Sequence, residues 1–318
     1  TGGAGFIGSH MVDLLLSKNF TVRVIDNLSG GRKENLKKNK NLIFIKKDIL
    51  SIKKNDKLFK NVKFVFHFAG SGDIVPSIEN PSHYTATNVL GTAKVLEAAT
   101  HSKVKKFVYA ASSSCYGLAK TPTDEKHKIS PQYPYALTKY LGEQAALHWF
   151  KVYRLPVISI RIFNAYGPRV RTTGLYGAVF GVFLKQKLEK KPLTIVGSGN
   201  QKRDFLYITD VAKAFFAAAM SKRTGEIYNL GASKPQTINK LAKLISNKFE
   251  HIPKRPGEPD CTWANINKIK SHLNWKPVVG FEQGVSEMIK QIDHWKKAPL
   301  WDRKSIKKAT KDWFKYLA

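Results

Sequence analysis

Cysteine is scarce in this 318-residue chain, with Cys115 and Cys261 its only two. That excludes a disulfide-stapled fold and fits a reducing compartment. No apolar run approaches the roughly 18–20 residues a membrane-spanning helix needs, so no membrane partner is expected. Acidic residues are few, 23 against 54 Lys and Arg, for a formal net charge of +31. Arginine is sparse too, supplying 10 of the 54 basic residues while Lys supplies 44. Readers of bases and phosphates favour clustered Arg with interleaved aromatics, whereas Lys is mostly a hydrated surface charge. The densest runs, Lys37-Lys38-Asn39-Lys40 and Lys53-Lys54-Asn55-Asp56-Lys57, lie in polar linkers. They read as a solvated face and not as a nucleic-acid site, although the positive field suits an anionic small molecule. His67, His83 and His148 show no metal-ligand spacing, so no metal site is expected. Internal repeats are lacking, and 42% hydrophobic with 24% charged residues is ordinary globular composition.

The chain opens directly on Thr1-Gly2-Gly3-Ala4-Gly5-Phe6-Ile7-Gly8, without a preceding strand, an initiator Met or the n-region and h-region of a signal peptide. The expectation is a cytoplasmic protein whose first strand is missing from the chain. After the Gly-rich turn, Ser9 to Lys18 carries apolar residues at helical spacing. Short β-rich runs follow at Thr21–Ile25, Leu42–Ile45, Val62–Phe68, Lys106–Ala110 and Val157–Ile162, with helical patterns at Tyr84–Thr100 and Tyr133–Tyr153. Alternation of nearly continuous apolar strands with helices predicts an α/β fold, a doubly wound Rossmann-type parallel sheet covered on both faces. From about Gly167 the pattern is richer in Gly and Pro, with helices expected near Ile238–Phe249, Phe281–Trp295 and Ser305–Leu317. The expected domains are therefore 1–166, to which a segment near 205–230 returns, and a smaller C-terminal α/β substrate region over 167–318.

Gly2, Gly5 and Gly8 form G-x-x-G-x-x-G at the start of a helix. Missing side chains let the backbone approach a pyrophosphate, and the helix N-terminus supplies N–H groups and positive partial charge. Asp26, eighteen residues after Gly8 at the end of the next apolar strand, strengthens the signal. A carboxylate there can accept both adenosine ribose hydroxyls and repels a 2′-phosphate, favouring NAD over NADP. The alternative is a simple loop cap, and nearby Arg32 leaves the preference open. Tyr135 and Lys139 are spaced i, i+4, so a helix puts the ammonium near the phenol. A phenol of pKa about 10 is a poor base at neutral pH; an ammonium and a positive nicotinamide ring would both favour the phenolate. An ordinary amphipathic helix produces the same spacing by chance. Upstream, Phe107-Val108-Tyr109-Ala110 runs into Ala111-Ser112-Ser113-Ser114-Cys115-Tyr116-Gly117, placing hydroxyls at the carboxyl end of a strand, where parallel sheets hold ligands.

Together these motifs resemble the extended short-chain dehydrogenase/reductases, specifically the nucleotide-sugar 4-epimerase group typified by UDP-glucose 4-epimerase. The likeness covers nearly the whole chain. It takes in Gly2–Gly8, Asp26-Asn27-Leu28-Ser29, Asp48-Ile49, His67-Phe68-Ala69-Gly70, Asn88, Ser112–Gly117 and Tyr135/Lys139. It continues through Arg161-Ile162-Phe163-Asn164, Arg203-Asp204-Phe205, Arg255-Pro256-Gly257-Glu258 and Trp263-Ala264. The resemblance implies an enzyme in which Tyr135 is the acid/base, Ser112 bonds the sugar 4′-hydroxyl and Lys139 holds the nicotinamide ribose. It implies NAD held by Gly2, Gly5, Phe6, Ile7, Gly8, Asp26, Asn27, Ser29, Asp48, Ile49, Phe68, Ala69, Gly70, Asn88, Tyr135 and Lys139. A nucleotide sugar, UDP-linked, would meet Ser112, Ser113, Ser114, Asn164, Arg203, Arg255 and Thr262, the two arginines clamping its pyrophosphate. A homodimer pairing the 84–100 region and the Tyr135 helix is also implied.

Within the resemblance, sister enzymes that dehydrate place Asp-Glu where this chain has Ser113-Ser114, and decarboxylases want a Glu in this stretch. Cys115 stands one residue before Tyr116, where a reductive epimerase would want a Cys two before. Epimerisation without further chemistry fits best. Dehydratase or decarboxylase is the alternative, and an NAD-binding regulatory or RNA-binding relative the non-enzyme alternative, disfavoured because Tyr135 and Lys139 are both present. Thr262, before Trp263-Ala264, takes the place where a Tyr would crowd an N-acetyl group; Tyr176 or Phe180 could refill the space.

Overall fold

The computed structural model describes residues 1–170 and 179–317. The strands of the first region are β1 (Val22–Asp26), β2 (Leu42–Lys46), β3 (Phe64–His67), β4 (Lys106–Ser112) and β5 (Val157–Ile162). Those of the second are β6 (Asn164–Tyr166), β7 (Leu193–Val196), β8 (Lys202–Arg203) and β9 (Phe205–Tyr207). Next come β10 (Glu226–Leu230), β11 (Gln236–Thr237) and β12 (Phe249–Ile252). The main sheet runs β10-β5-β4-β3, all parallel, and β1 pairs in parallel with β2. Between them, Gly2 N–H donates to Ile25 C=O at 2.9 Å and Phe68 N–H to Thr1 C=O at 3.1 Å, so the Gly-rich turn begins where the two meet. No strand among the described residues pairs with both β1 and β3.

Period-two alternation sorts each central strand onto two faces. Phe107 and Tyr109 of β4 pack with Val65, Val95 and Leu96 on one side, while Val108 and Ala110 pack with Ile158, Ile160 and Phe215 on the other. All seven residues of β4 are buried, as a parallel strand covered on both faces requires. The helices Phe6–Ser17 and Ile208–Met220 pack together on one face, and Gly91–His101 and Pro134–Tyr153 on the other. β10 lies in this main sheet although it comes late in the chain, because its partner is β5.

In the second region β6 pairs with β9 and β7 with β12, both in parallel, while β8 and β11 are antiparallel. An aromatic cluster of Tyr166, Phe180, Phe205 and Phe281 fastens it beside the sheet, Phe180 stacking on Tyr166 at 4.6 Å. Several expected bounds shift. The helix from Ile238 ends at Ile245, because Phe249 starts β12 against Leu193. The 281–295 pattern is a helix to Lys290 followed by a 3₁₀ turn, and the last helix divides into Arg303–Ala309 and Lys311–Tyr316. The 84–100 pattern contains a π-helical turn, Ala86–Leu90, between two α-helical pieces.

Candidate active site

A cleft of about 860 Å³ runs along the carboxyl ends of the strands and continues into the second region. Its first half is built largely from backbone. Gly2 has φ +68°, and a Cβ there would lie 2.5 Å from Ala69 N. A Cβ at Gly8 would lie 2.1 Å from Gly2 C=O, so the turn closes only with glycine at both positions. Gly5 caps the helix Phe6–Ser17, and Phe6, Ile7 and Gly8 line the cleft at that helix's N-terminus. Asp26 lines the cleft too, and its carboxylate already accepts Ala4 N–H at 2.9 Å and Leu28 N–H at 2.8 Å. It therefore caps the turn, as the blander expectation had it, while its remaining lone pairs stay available to ribose hydroxyls.

Asn27 donates to Asp48 at 2.8 Å, its own carboxamide oxygen accepts from Ser29, and Asp48 caps the turn beginning at Ile49. All four residues line the cleft, as do Phe68, Ala69 and Gly70 after β3. Asn88 stands one layer behind, buried, with its carboxamide bonded to both backbone groups of Ser71 and to Thr138. It ties the loop after β3 to the helix that carries Tyr135.

At the centre, Tyr135 Oη donates to Ser112 Oγ at 3.1 Å, and Ser112 Oγ contacts Ser114 Oγ at 3.0 Å. Burial pushes the Tyr135 phenol up to about 12, the Ser112 hydrogen bond pulling the other way. Burial also lowers the Lys139 ammonium to about 8, with Glu143 opposing, and its Nζ lies 4.5 Å from the centre of the Tyr109 ring. The phenol is thus raised in this protein alone, opposite to the shift expected for the cofactor-loaded site. Below the centre, Arg161 makes a bidentate pair with Glu143 and donates to Tyr116 Oη, which donates to Asn229. Cys115 is buried outside the cleft lining, its thiol pushed up to about 12 by that burial.

In the second half, Asn164, Arg203, Arg255 and Thr262 all line the cleft. Thr262 Oγ1 donates to Asn164 Oδ1 at 2.7 Å and accepts Asp204 N–H. Asp204 is a buried structural node accepting backbone N–H from Ala232, Ser233 and Ala264. Glu258 accepts from Arg203 at 2.8 Å and from Arg255 at 2.9 Å, bridging the two arginines. Glu258, Arg169, Trp301 and Trp313 line the cleft as well; sequence gives the first two no role, and for the Trp-rich tail (Trp295, Trp301, Trp313) only packing on the substrate region or a partner subunit is expected. Arg169 pairs with Asp13 at 2.7 Å, while its buried Nη1 has no hydrogen-bond partner among the described residues. Only the basic residue type could have flagged it, because the orphan N–H is a tertiary feature. Tyr176 lies outside the described residues. No group of three or more His, Cys, Asp or Glu among the described residues could hold a metal ion, and none of their helices is long and apolar enough to cross a membrane.

A glycine cradle at the carboxyl edge of a parallel sheet, beside a Tyr–Ser pair and a Lys one turn on, defines a dinucleotide-dependent enzyme of the short-chain type. The chain belongs to the NAD dependent epimerase/dehydratase family, whose model matches residues 1–231. It is 34% identical over 326 residues to the UDP-glucuronate 4-epimerase of Thermodesulfobacterium geofontis, covering 96% of this chain and 98% of that one. Its fold superposes at TM-score 0.87 on a UDP-N-acetylglucosamine 4-epimerase from Methanobrevibacter ruminantium M1 in complex with UDP-N-acetylmuramic acid (32% identity, 92% and 96% covered). It matches at 0.86 a UDP-glucuronic acid 4-epimerase from Bacillus cereus in complex with UDP-glucuronic acid and NAD (32% identity, 92% and 97% covered).

Proposed function

We propose that this chain is an NAD-dependent 4-epimerase of a UDP-linked sugar. The observation that carries the reading is the 3.1 Å Tyr135–Ser112 hydrogen bond, set in one cleft between the glycine cradle and the Arg203–Glu258–Arg255 cluster. The cradle fits NAD: its turn closes only with glycine at positions 2 and 8, the helix N-terminus at Phe6 faces the cleft, and the orphan Arg169 N–H suits a phosphate oxygen. NAD bound in the cradle would supply the hydride acceptor, and after the sugar turns over in the site the hydride donor, at C4′. Tyr135 takes the proton of the 4′-hydroxyl and later gives it back, and Ser112 orients that hydroxyl. Lys139 holds the nicotinamide ribose and supplies positive charge to the buried site. Arg203 and Arg255 hold the diphosphate of the substrate, with Glu258 fixing both guanidinium groups. Ser113 and Ser114 stand where dehydratases of the family would carry Asp-Glu, so that pair is not there to eliminate water.

Purified protein supplied with UDP-glucose, UDP-galactose, their N-acetyl forms and UDP-glucuronate, followed by NMR, tests the reading. Interconversion of a 4-epimeric pair is expected. Loss of water or of carbon dioxide would move the assignment to a dehydratase or decarboxylase, and no turnover of any pair would sink it. The reading extends to a cytoplasmic homodimer. Leu90 on the π-helical turn and Leu137 and Leu141 on the Tyr135 helix are half-exposed and supply the apolar contact. A monomer by light scattering at micromolar concentration would remove the dimer.

A further inference from the structure

We propose that the C-terminal segment, residues 296–317, is the closing wall of the substrate site, with Trp313 the residue that sets Arg255 for the substrate's diphosphate. The proposal rests on the UDP-sugar reading above. The segment is tightly fastened. Two buried side chains of the cleft-lining helix Val179–Leu188 are committed to its backbone: Lys185 Nζ donates to Lys296 C=O at 2.7 Å, and Gln186 Nε2 to Trp301 C=O at 2.7 Å. Asp302 and Ser305 form a reciprocal capping box that starts the helix Arg303–Ala309. Thr310 is buried where that helix stops, and the chain turns into the helix Lys311–Tyr316.

That last short helix places one side chain into the site. Trp313 is 5% exposed, lines the cleft, and its indole N–H donates to Pro256 C=O at 2.7 Å. The Arg255 guanidinium lies over its ring at 5.0 Å while Nε and Nη2 of the same group donate to Glu258. The guanidinium plane is therefore fixed by a ring on one face and a carboxylate on one edge, which lowers the entropy lost when it binds an anion. Trp313 also meets Tyr133 at 6.4 Å, and Tyr133 stacks on Tyr135 at 6.3 Å and 8°. The helix also packs against Ile74–Glu79, which follows the loop after β3 on the cofactor side. One element thus touches the anion clamp, the neighbour of the acid/base Tyr and the cofactor half, which is where a water-excluding wall must stand.

The test compares full-length wild type with Trp313→Ala and Trp313→Phe. UDP affinity is read by calorimetry, NAD content by extraction, and KM and kcat with the UDP-sugar turned over. Losing the cation–π face and the wall should weaken UDP binding and raise KM about tenfold in Trp313→Ala, with NAD content unchanged and kcat moved much less. Trp313→Phe, which keeps a ring but drops the Pro256 bond, should shift both about twofold. UDP affinity unchanged in folded Trp313→Ala overturns the proposal, as does an equal loss of NAD, which would mark general loosening. Should the alanine variant fail to fold, the UDP-induced fluorescence change decides. Trp313 must account for most of it by difference between wild type and Trp313→Phe, and a change equal in both overturns the proposal. A wild type that binds UDP but epimerises no UDP-sugar sinks the functional reading and leaves this one standing.

Discussion

The two halves of the cleft are made of different material. In the cofactor half the ligand-facing surface is mostly main chain: the Gly2–Gly8 turn, the Phe68–Gly70 loop and the helix N-terminus at Phe6. Two of its carboxylates, Asp26 and Asp48, accept backbone N–H groups, Asp26 from Ala4 and Leu28 and Asp48 from Leu50. The substrate half is made of side chains brought from afar, with Thr262 meeting Asn164 across 98 positions and Arg203 meeting Glu258 across 55. A backbone cradle holds its ligand by shape and fixed dipoles, and fails when a methyl group is added. A side-chain clamp holds by charge, can be tuned one residue at a time and weakens with salt. On the proposed reading NAD lies against the first kind of wall and the sugar nucleotide against the second.

Tyr135 stands between the halves, so removing its hydroxyl should disturb neither. In Tyr135→Phe turnover is expected to fall about a hundred- to ten-thousand-fold. Bound NAD and UDP affinity should stay within about twofold of wild type, by extraction and calorimetry. Near-normal epimerisation by this variant would falsify the acid/base role. A variant that also lost one ligand would show that the hydroxyl belongs to that half.

Beneath both halves runs the buried network from Ser159 and Glu143 through Arg161 to Tyr116 and Asn229. Arg161 and Glu143 are 3% and 1% exposed, so Arg161→Met leaves a carboxylate stranded in the core. Breaking such a pair costs about 3–5 kcal/mol, while replacing both partners by apolar groups is often nearly neutral. Urea denaturation should show Arg161→Met strongly destabilised and Arg161→Met with Glu143→Leu largely recovered. A double variant no better than the single would mean that the network acts through its other hydrogen bonds.

The cofactor half was readable because its signals are local. Gly2, Gly5, Gly8 and Asp26 lie within twenty-six residues, and the steric demands at Gly2 and Gly8 are ones only glycine meets. β5 was bounded correctly at Val157–Ile162 because every residue in it is buried and the pattern is continuous. Phe249 was misplaced on a helix because its strand exists only by pairing with Leu193, far back in the chain. Asn88 was expected against the cofactor, yet it lies behind the wall, a layer that residue type does not encode. Glu258 lies in a motif of the family and Trp313 in a Trp-rich tail expected to pack on the substrate region or a partner subunit, but a carboxylate between two arginines and a ring beneath one of them are tertiary facts that sequence does not show.

Lys139 offers a pH test at the boundary of the two halves. Its proton leaves near pH 8 in the folded protein instead of the ordinary 10.5, burial being the main cause. Between those values the unfolded chain holds the extra proton, so raising pH through this window favours the folded state; below pH 8 the full penalty of burying the charge applies. Lys139→Met should therefore be the more stable protein near pH 7 by up to about 3 kcal/mol, with the gap closing toward pH 10.5. A gap that does not change with pH would mean that Lys139 is not strained by burial.

The smallest expected effect concerns the sugar the substrate half admits, and Thr262 is its candidate gate. Its hydroxyl is held between Asn164 Oδ1 at 2.7 Å and Asp204 N–H at 3.1 Å, so the side chain is fixed and small. Phe180, the other candidate to fill the space, is 2% exposed, stacked on Tyr166 and edge-on to Phe205, committed to the aromatic cluster. A Tyr at 262 would push a ring toward a bulky 2′-substituent, an overlap costing about 1–3 kcal/mol, or roughly ten- to a hundred-fold in kcat/KM for N-acetyl substrates relative to their hydroxyl counterparts. The same change removes the hydrogen bond to Asn164, which lowers activity on every sugar. Thr262→Val separates the two, since it keeps the volume and drops the hydroxyl. Thr262→Val should reduce all substrates alike, and Thr262→Tyr should penalise the N-acetyl pair selectively. If the preference is the same in both variants, Thr262 serves as a brace for Asn164, and the size of the sugar pocket is set by other residues.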